Sequence, residues 1–265
     1  MTSSSSSDNA STDSTGEIAR SYVAKDRRVR YVRNERNLGL AGNVRRAFQL
    51  SSGAYFRWHA ADDLSGADSL ARCVAVLDRH PAVVLAYPKT TFIDENGRVT
   101  SEYDDGLHLQ ATRPSERFQQ LLGRLRYANA QFGLLRADIL RRTRLLGSYL
   151  AADVVFLAEL SLYGTFWEVP EFLFYRRFHA AASSSMDRVQ LRTFWDPGAR
   201  RVCPREWRHL LELVRAVTRA PLGVTEKMRA GRVIARRALG NWDLLAREAL
   251  EAMRALAPQL GDSPK

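Results

Sequence analysis

The chain has 265 residues, 45% of them hydrophobic, which is enough for one large α/β domain or for one domain with a helical appendage. Its formal net charge of +11 comes from arginine spread along the whole length. With no zinc-ligand spacing, no aromatic RNA-binding signature and no dense basic block, nucleic acid is not an expected partner; an anionic membrane surface or a diphosphate remains. No apolar run approaches the roughly 20 residues of a membrane span, and no basic-then-apolar leader is visible. Cys73 and Cys203 make neither a disulfide framework nor a metal knuckle, so a reducing cytoplasm is the expected setting.

In chain order, residues 1–7 are low-complexity and are expected to be disordered. Residues 13–25 place Ile18, Tyr22 and Val23 on one helical face, with Asp13 or Ser14 as cap. Residues 29–33 alternate as a short strand. The small-residue turn 37–42 then opens a helix running to about Leu50. Residues 55–59 read as a buried strand, followed at once by Asp62 and Asp63 and by a helix over 68–79 carrying Leu70, Val74 and Leu77. Residues 83–87 form a continuous apolar strand, and Asn96-Gly97 marks a hairpin turn. This alternation predicts an α/β fold with a mostly parallel sheet flanked by helices, and such sheets bind ligands at the carboxyl ends of their strands. Asp62 and Asp63 fall there.

Further on, a helix is expected over 114–126, a strand over 131–135 and a short helix over 138–142. Residues 149–163 read as an amphipathic helix closed by Gly164. Two short strands, 166–169 and 172–177, are split by Pro170. Beyond Ser185 the pattern becomes wholly helical, with stripes such as Trp207, Leu210, Leu211 and Val214. The division expected is therefore a tail over 1–7, an α/β domain over 8–185 and a helical extension over 186–265. The extension's apolar stripes are expected to pack on the domain, with contact to an anionic membrane as the competing use.

Adjacent carboxylates at the end of a buried strand can ligate a hard divalent cation, Mg2+ or Mn2+, which neutralises a substrate diphosphate. The same pair can equally open a surface loop or cap the next helix. Asp153, at the start of a helix, is placed to complement the helix dipole.

Several motifs in order resemble the inverting family 2 glycosyltransferases of the GT-A fold. They are Asp8-Asn9-Ala10-Ser11-Thr12-Asp13, Arg33-Asn34-Glu35-Arg36-Asn37-Leu38-Gly39, Gly53-Ala54-Tyr55-Phe56 leading to Ala61-Asp62-Asp63-Leu64, and the stretch from Leu77 to Pro88. The resemblance implies a nucleoside-diphosphate sugar donor and a hydroxyl acceptor, glycan or lipid-linked. It implies Asp8 near the nucleobase and Asn37 and Asn43 close to the nucleotide. Asp62 would be the metal carboxylate with Asp63 beside it, and Asp153 the general base. Arg176-Arg177-Phe178-His179 resembles the family's "R-x-H" segment, so Arg177 or Arg176 would face the diphosphate and His179 the metal or phosphate. Ala60 stands where the first acid of the family's DxD motif commonly lies, which leaves the ribose contact without its usual residue. The resemblance also implies a strand-helix-strand ahead of Asp8, about forty residues by the size of such a unit. A misassigned start, a truncated inactive relative or a partner supplying those strands would each account for this expectation. The function implied is sugar transfer with inversion in polysaccharide or glycolipid synthesis; the alternative is a non-catalytic binding or scaffold protein of the same descent.

Overall fold

The computed structural model describes residues 3–180, 182–198 and 204–256. Cys203 and the Arg200/Arg201 pair lie outside them. The first elements are β1 (Ser4–Asp8), α1 (Thr15–Lys25), β2 (Val29–Arg33) and α2 (Gly39–Gln49). Strands β1 and β2 pair in parallel, Ser4 opposite Val29 through Asp8 opposite Arg33, as a two-stranded sheet of their own. The disorder expected over 1–7 is thus corrected for Ser4–Ser7. A serine run carries little strand propensity, but here its backbone pairs with β2 and its side chains find partners. Ser7 Oγ donates to Asn43 Oδ1 at 2.8 Å, and Asn43 Nδ2 returns a bond to the Ser7 carbonyl at 3.0 Å.

A mixed six-stranded sheet follows. Its strands are β3 (Tyr55–Phe56), β4 (Leu64–Ser65), β5 (Val83–Ile93), β6 (Val99–Tyr103), β7 (Leu134–Arg136) and β8 (Thr165–Arg177). The order is β3-β7-β5-β8-β4, with β6 on β5. Parallel pairing in this sheet is confined to β5 and β8; its other ladders are antiparallel. Strand β5 is buried at every position but Lys89, as a continuous apolar run covered on both faces should be. Gly97 takes the left-handed turn to β6 at φ +80°, where a side chain would be strained. Strand β3 is shorter than the sequence pattern suggests, because β7 offers it only two partners. Strand β8 is longer: Val169 pairs with Pro88 and Phe172 with Lys89, so Pro170 and Glu171 bulge out of one continuous strand instead of dividing it.

The sheet is flanked by α3 (Ser69–Arg79), α4 (Pro114–Arg124), the short α5 (Ala137–Leu140) and α6 (Ala152–Tyr163). Helix α6 is not amphipathic. Nine of its twelve residues are buried, because helices from the end of the chain cover the face that the sheet and α4 leave. Those helices are α7 (Arg188–Trp195), α8 (Arg205–Arg219), α9 (Val224–Gly240) and α10 (Trp242–Leu256). Leu213 and Val217 of α8 and Ala230 and Ile234 of α9 enter the same core cluster as Leu85, Phe118, Phe156 and Phe166. Helix α7 packs on α2, where Gly39, at φ +70°, would drive a Cβ to 2.6 Å from Pro197 and 2.7 Å from the Trp195 carbonyl. A second, smaller cluster joins α3 to the sheet through Cys73, Leu77, Val83 and Val169. No described helix is long and apolar enough to cross a membrane.

Arginines of this helical region meet buried acids. Arg219 bonds Glu159 of α6 at 2.6 Å. Glu212, 2% exposed, is surrounded by Arg144, Arg208 and Arg215. Part of the positive excess is therefore spent inside the fold.

Candidate functional site

One large cavity, about 1650 Å3, lies between β1, α2, the segment after β3, the start of α6 and the end of β8. Local pairing explains what gathers there. β4 is only two residues long, but its ladder with Phe174 and Tyr175 lays the loop carrying Asp62 and Asp63 against the end of β8. Asp62 Oδ2 then sits 3.0 Å from His179 Nε2. Asp63, 8% exposed, accepts the Arg177 backbone N–H at 2.9 Å. Burial pushes the Asp63 carboxyl above the usual range, and the Arg177 N–H opposes that shift.

The third carboxylate comes from a different element. Asp153 stands in the first turn of α6 and lines the cavity. Ala151, the residue before the helix, adopts the left-handed conformation at φ 58°, a conformation disfavoured by a Cβ and held only when surrounding packing fixes it. That packing comes from α8: His209 Nε2 lies 2.9 Å from the Leu150 carbonyl, and the Arg208 guanidinium stacks over Tyr149. Burial raises the Asp153 carboxyl, with Val154 N–H, His209 and Arg176 pulling it back. A carboxylate with raised pKa at a cavity wall is suited to accept a proton.

Other residues singled out from the sequence are differently employed. Asp8 does not line the cavity. Its carboxylate is buried and accepts the Tyr31 hydroxyl at 2.5 Å and Ser11 N–H at 2.8 Å, with Arg33 at 3.7 Å. Although burial opposes it, these donors hold its pKa below the usual value. Asn37 accepts from Asn9 and from Gly39 N–H, both at 2.8 Å, and so shapes the turn into α2. Asn43 lines the cavity with its oxygen taken by Ser7 and Asn34. The Arg177 guanidinium is spent on the carbonyls of Asp62, Asp94 and Glu95. In each case protein partners engage the polar group, and of the three only Arg177 lines the cavity.

Arg176 lines the cavity together with Arg30, Arg57, Arg126 and Arg177. It donates to Asn129 Oδ1 at 2.7 Å, lies 5.7 Å from the Tyr127 ring centroid and 5.4 Å from that of Phe178, and forms no ion pair among the described residues. The alternation of β8 turns Arg176 and Arg177 to opposite sides, but nothing in the sequence says which side is which. Asp105 was also missed. It is 4% exposed, neither carboxylate oxygen has a partner among the described residues, and burial beside Glu168 and Asp104 pushes its pKa up to about 8. His59 bridges Ala60 and Ser65, while His80 and His108 pack on Trp167; these are structural.

A divalent cation fits the donor set. Asp62, which lines the cavity, and His179, 3.0 Å from it, would supply two ligands. Among the described residues no cluster of three His, Cys, Asp or Glu forms a closed cage. Mg2+ is commonly held in this way, by one or two carboxylates with substrate phosphate and water completing its shell.

The sequence signature of Glycosyl transferase family 2 matches residues 6–144. The chain belongs to this family. It is 30% identical over 96 residues to an uncharacterized glycosyltransferase of Methanocaldococcus jannaschii, covering 36% of this chain and 33% of that protein. It is 36% identical over 91 residues to an uncharacterized protein of Sinorhizobium fredii, covering 34% of this chain and 10% of the other. Among solved structures, S. aureus TarS 1–349 superposes with a TM-score of 0.59 at 16% identity, over 90% of this chain and 62% of that one. A TarS complex with UDP-GlcNAc gives 0.58 at 15% identity, over 89% and 63%. The fold is that of the GT-A glycosyltransferases, with a helical C-terminal region. The chain spans about a third and a tenth of the two relatives and less than two thirds of TarS.

Proposed function

We propose that the chain binds a nucleoside-diphosphate sugar and transfers the sugar, with inversion, to a hydroxyl acceptor in polysaccharide or glycolipid synthesis. The observation that carries this reading is that Asp62, 3.0 Å from His179, and Asp153 line one cavity. TarS, which shares the fold, has been solved with UDP and with UDP-GlcNAc, and a uridine diphosphate donor is the first to try here.

In this reading Asp62 and His179 hold Mg2+ or Mn2+, whose charge offsets that of the donor diphosphate. Asp63 fixes the Asp62 loop to β8 through Arg177 N–H, so the ligand carboxylate is preset. Asp153 takes the proton of the acceptor hydroxyl as that oxygen bonds to the anomeric carbon. The bond from the anomeric carbon to the diphosphate oxygen breaks on the opposite side, and the nucleoside diphosphate leaves with the electron pair. One in-line displacement inverts the centre.

Ala60, in place of an acid, favours the second reading, a binding protein of the same descent that holds the nucleotide without transferring sugar. Incubation with UDP-sugars and Mn2+, followed by release of UDP with and without glycan acceptors, separates the two. Acceptor-dependent release that Asp153→Asn abolishes supports transfer. Metal-dependent binding without any release supports the binding protein.

A further inference from the structure

The rim of the cavity carries an aromatic construction that the reading above does not use. Tyr127 follows α4 and is 43% exposed. Its ring is held edge-to-face by Phe92 of β5 at 5.5 Å and by Tyr103 of β6 at 5.0 Å, and these two rings stack on each other at 5.4 Å. Phe178, at the end of β8, packs edge-on to Phe92 at 5.1 Å. The Arg176 guanidinium covers Tyr127 from one side and is fixed by Asn129. Asn129 is itself 3% exposed, at the start of the turn that follows. Three strands and one loop thus immobilise a tyrosine that nevertheless presents much of its surface to the cavity. Aromatic rings bury readily, so a rigid exposed one beside a cavity marks a binding surface.

One guanidinium covers the ring, and a second belongs to its chain neighbour. Arg126 precedes it, is exposed and lines the same cavity, as does Arg176. Among the described residues neither forms an ion pair, whereas Arg144, Arg208, Arg215 and Arg219 are matched to Glu212 or Glu159. An apolar ring face suits the C–H face of a pyranose. Adjacent unpaired guanidiniums suit an anionic substituent, since their fork geometry fits phosphate and carboxylate oxygens. We infer that Tyr127, with Arg126 and Arg176, forms the acceptor subsite, and that its ligand is a pyranose bearing an anionic group, either a glycosyl phosphate or an acidic sugar. The word acceptor rests on the transferase reading; the sugar subsite does not.

The test is ligand-observed NMR on the full chain, with UDP and Mg2+ present, using methyl glucoside, methyl glucuronide and glucose 1-phosphate as probes. The anionic sugars are expected to bind about tenfold or more tightly than methyl glucoside, about 1.4 kcal/mol. Tyr127→Ala should weaken all three by about tenfold, Tyr127→Phe should keep them, and Arg126→Ala should erase the preference for anions. Glucose 1-phosphate ahead of the glucuronide points to a glycosyl-phosphate acceptor, and the reverse order to an acidic one; both support the shared chemistry. Unchanged binding in a folded Tyr127→Ala protein, or equal binding of neutral and anionic probes, overturns the subsite. Sugars that bind through Tyr127 while UDP does not bind would sink the donor reading and leave the subsite standing. UDP binding with sugars indifferent to Tyr127 would do the opposite.

Discussion

The buried acids of the helical core and those of the cavity wall are satisfied in opposite ways. Glu159 and Glu212 are each 2% exposed, and every one is met by arginine: Arg219 on Glu159, and Arg144, Arg208 and Arg215 on Glu212. Burial raises the carboxyls of Asp63 and Asp153 as it does that of Glu159, but among the described residues neither forms an ion pair. A buried carboxylate matched by cations serves the fold. One held with only backbone donors retains charge and proton affinity for something that enters from outside. The contrast assigns α6 two roles along its length, with Asp153 at its first turn facing the cavity and Glu159 two turns later bolting on α8.

The contrast is broken most severely at Asp153. Asp153→Asn is expected to lower transfer by roughly 10^2- to 10^4-fold, the usual range for a lost general base, with thermal stability nearly unchanged. Loss of stability with activity retained would make Asp153 a structural helix residue. Asp62→Asn is expected to weaken metal-dependent nucleotide binding by about tenfold or more, read by calorimetry, and to leave metal-free binding as it was. Glu159→Gln reverses the pattern: a modest loss of stability in urea titration, about 1 kcal/mol or less, since Arg219 loses an ion-pair partner but stays accessible to water, and donor affinity kept.

A further expected effect is a pH dependence. Asp105 belongs to neither class, being buried and unpartnered, with its pKa pushed up to about 8 against an ordinary value of 3.8. Between those values the native state keeps a proton that the unfolded chain has released. Stability contributed by Asp105 is therefore full below about pH 4, falls as pH rises, and levels off above about pH 8. Asp105→Asn should flatten that decline in a series of urea titrations across pH. An unchanged slope would show that the carboxyl is solvated.

Much of this was legible in the sequence where burial and periodicity agree. The run from Val83 reads as a covered strand and Asn96-Gly97 as a hairpin, and Asp62 and Asp153, far apart in the chain, line one cavity while His179 contacts Asp62. What was not legible depends on partners distant in the chain. The serine strand forms because β2 and Asn43 bond it, and a local reading of five polar residues cannot see that. Helix α6 looked amphipathic because Glu159 and Ser161 interrupt its apolar pattern, yet α8 buries them. Asp8, Asn37 and Arg177 carry the residue types of a nucleotide site, and only the fold shows that Tyr31, Gly39 and the carbonyls after β5 occupy them. The Arg176 side chain faces the aromatic cluster for a reason of strand phase alone.

The most direct test of the account is calorimetric titration of UDP into the full chain with and without Mn2+, alongside Asp62→Asn. The account expects binding that strengthens with Mn2+ in the wild type and a loss of that strengthening in the variant. Binding indifferent to Mn2+ in a folded wild-type protein, or equal metal dependence in the two proteins, would contradict it.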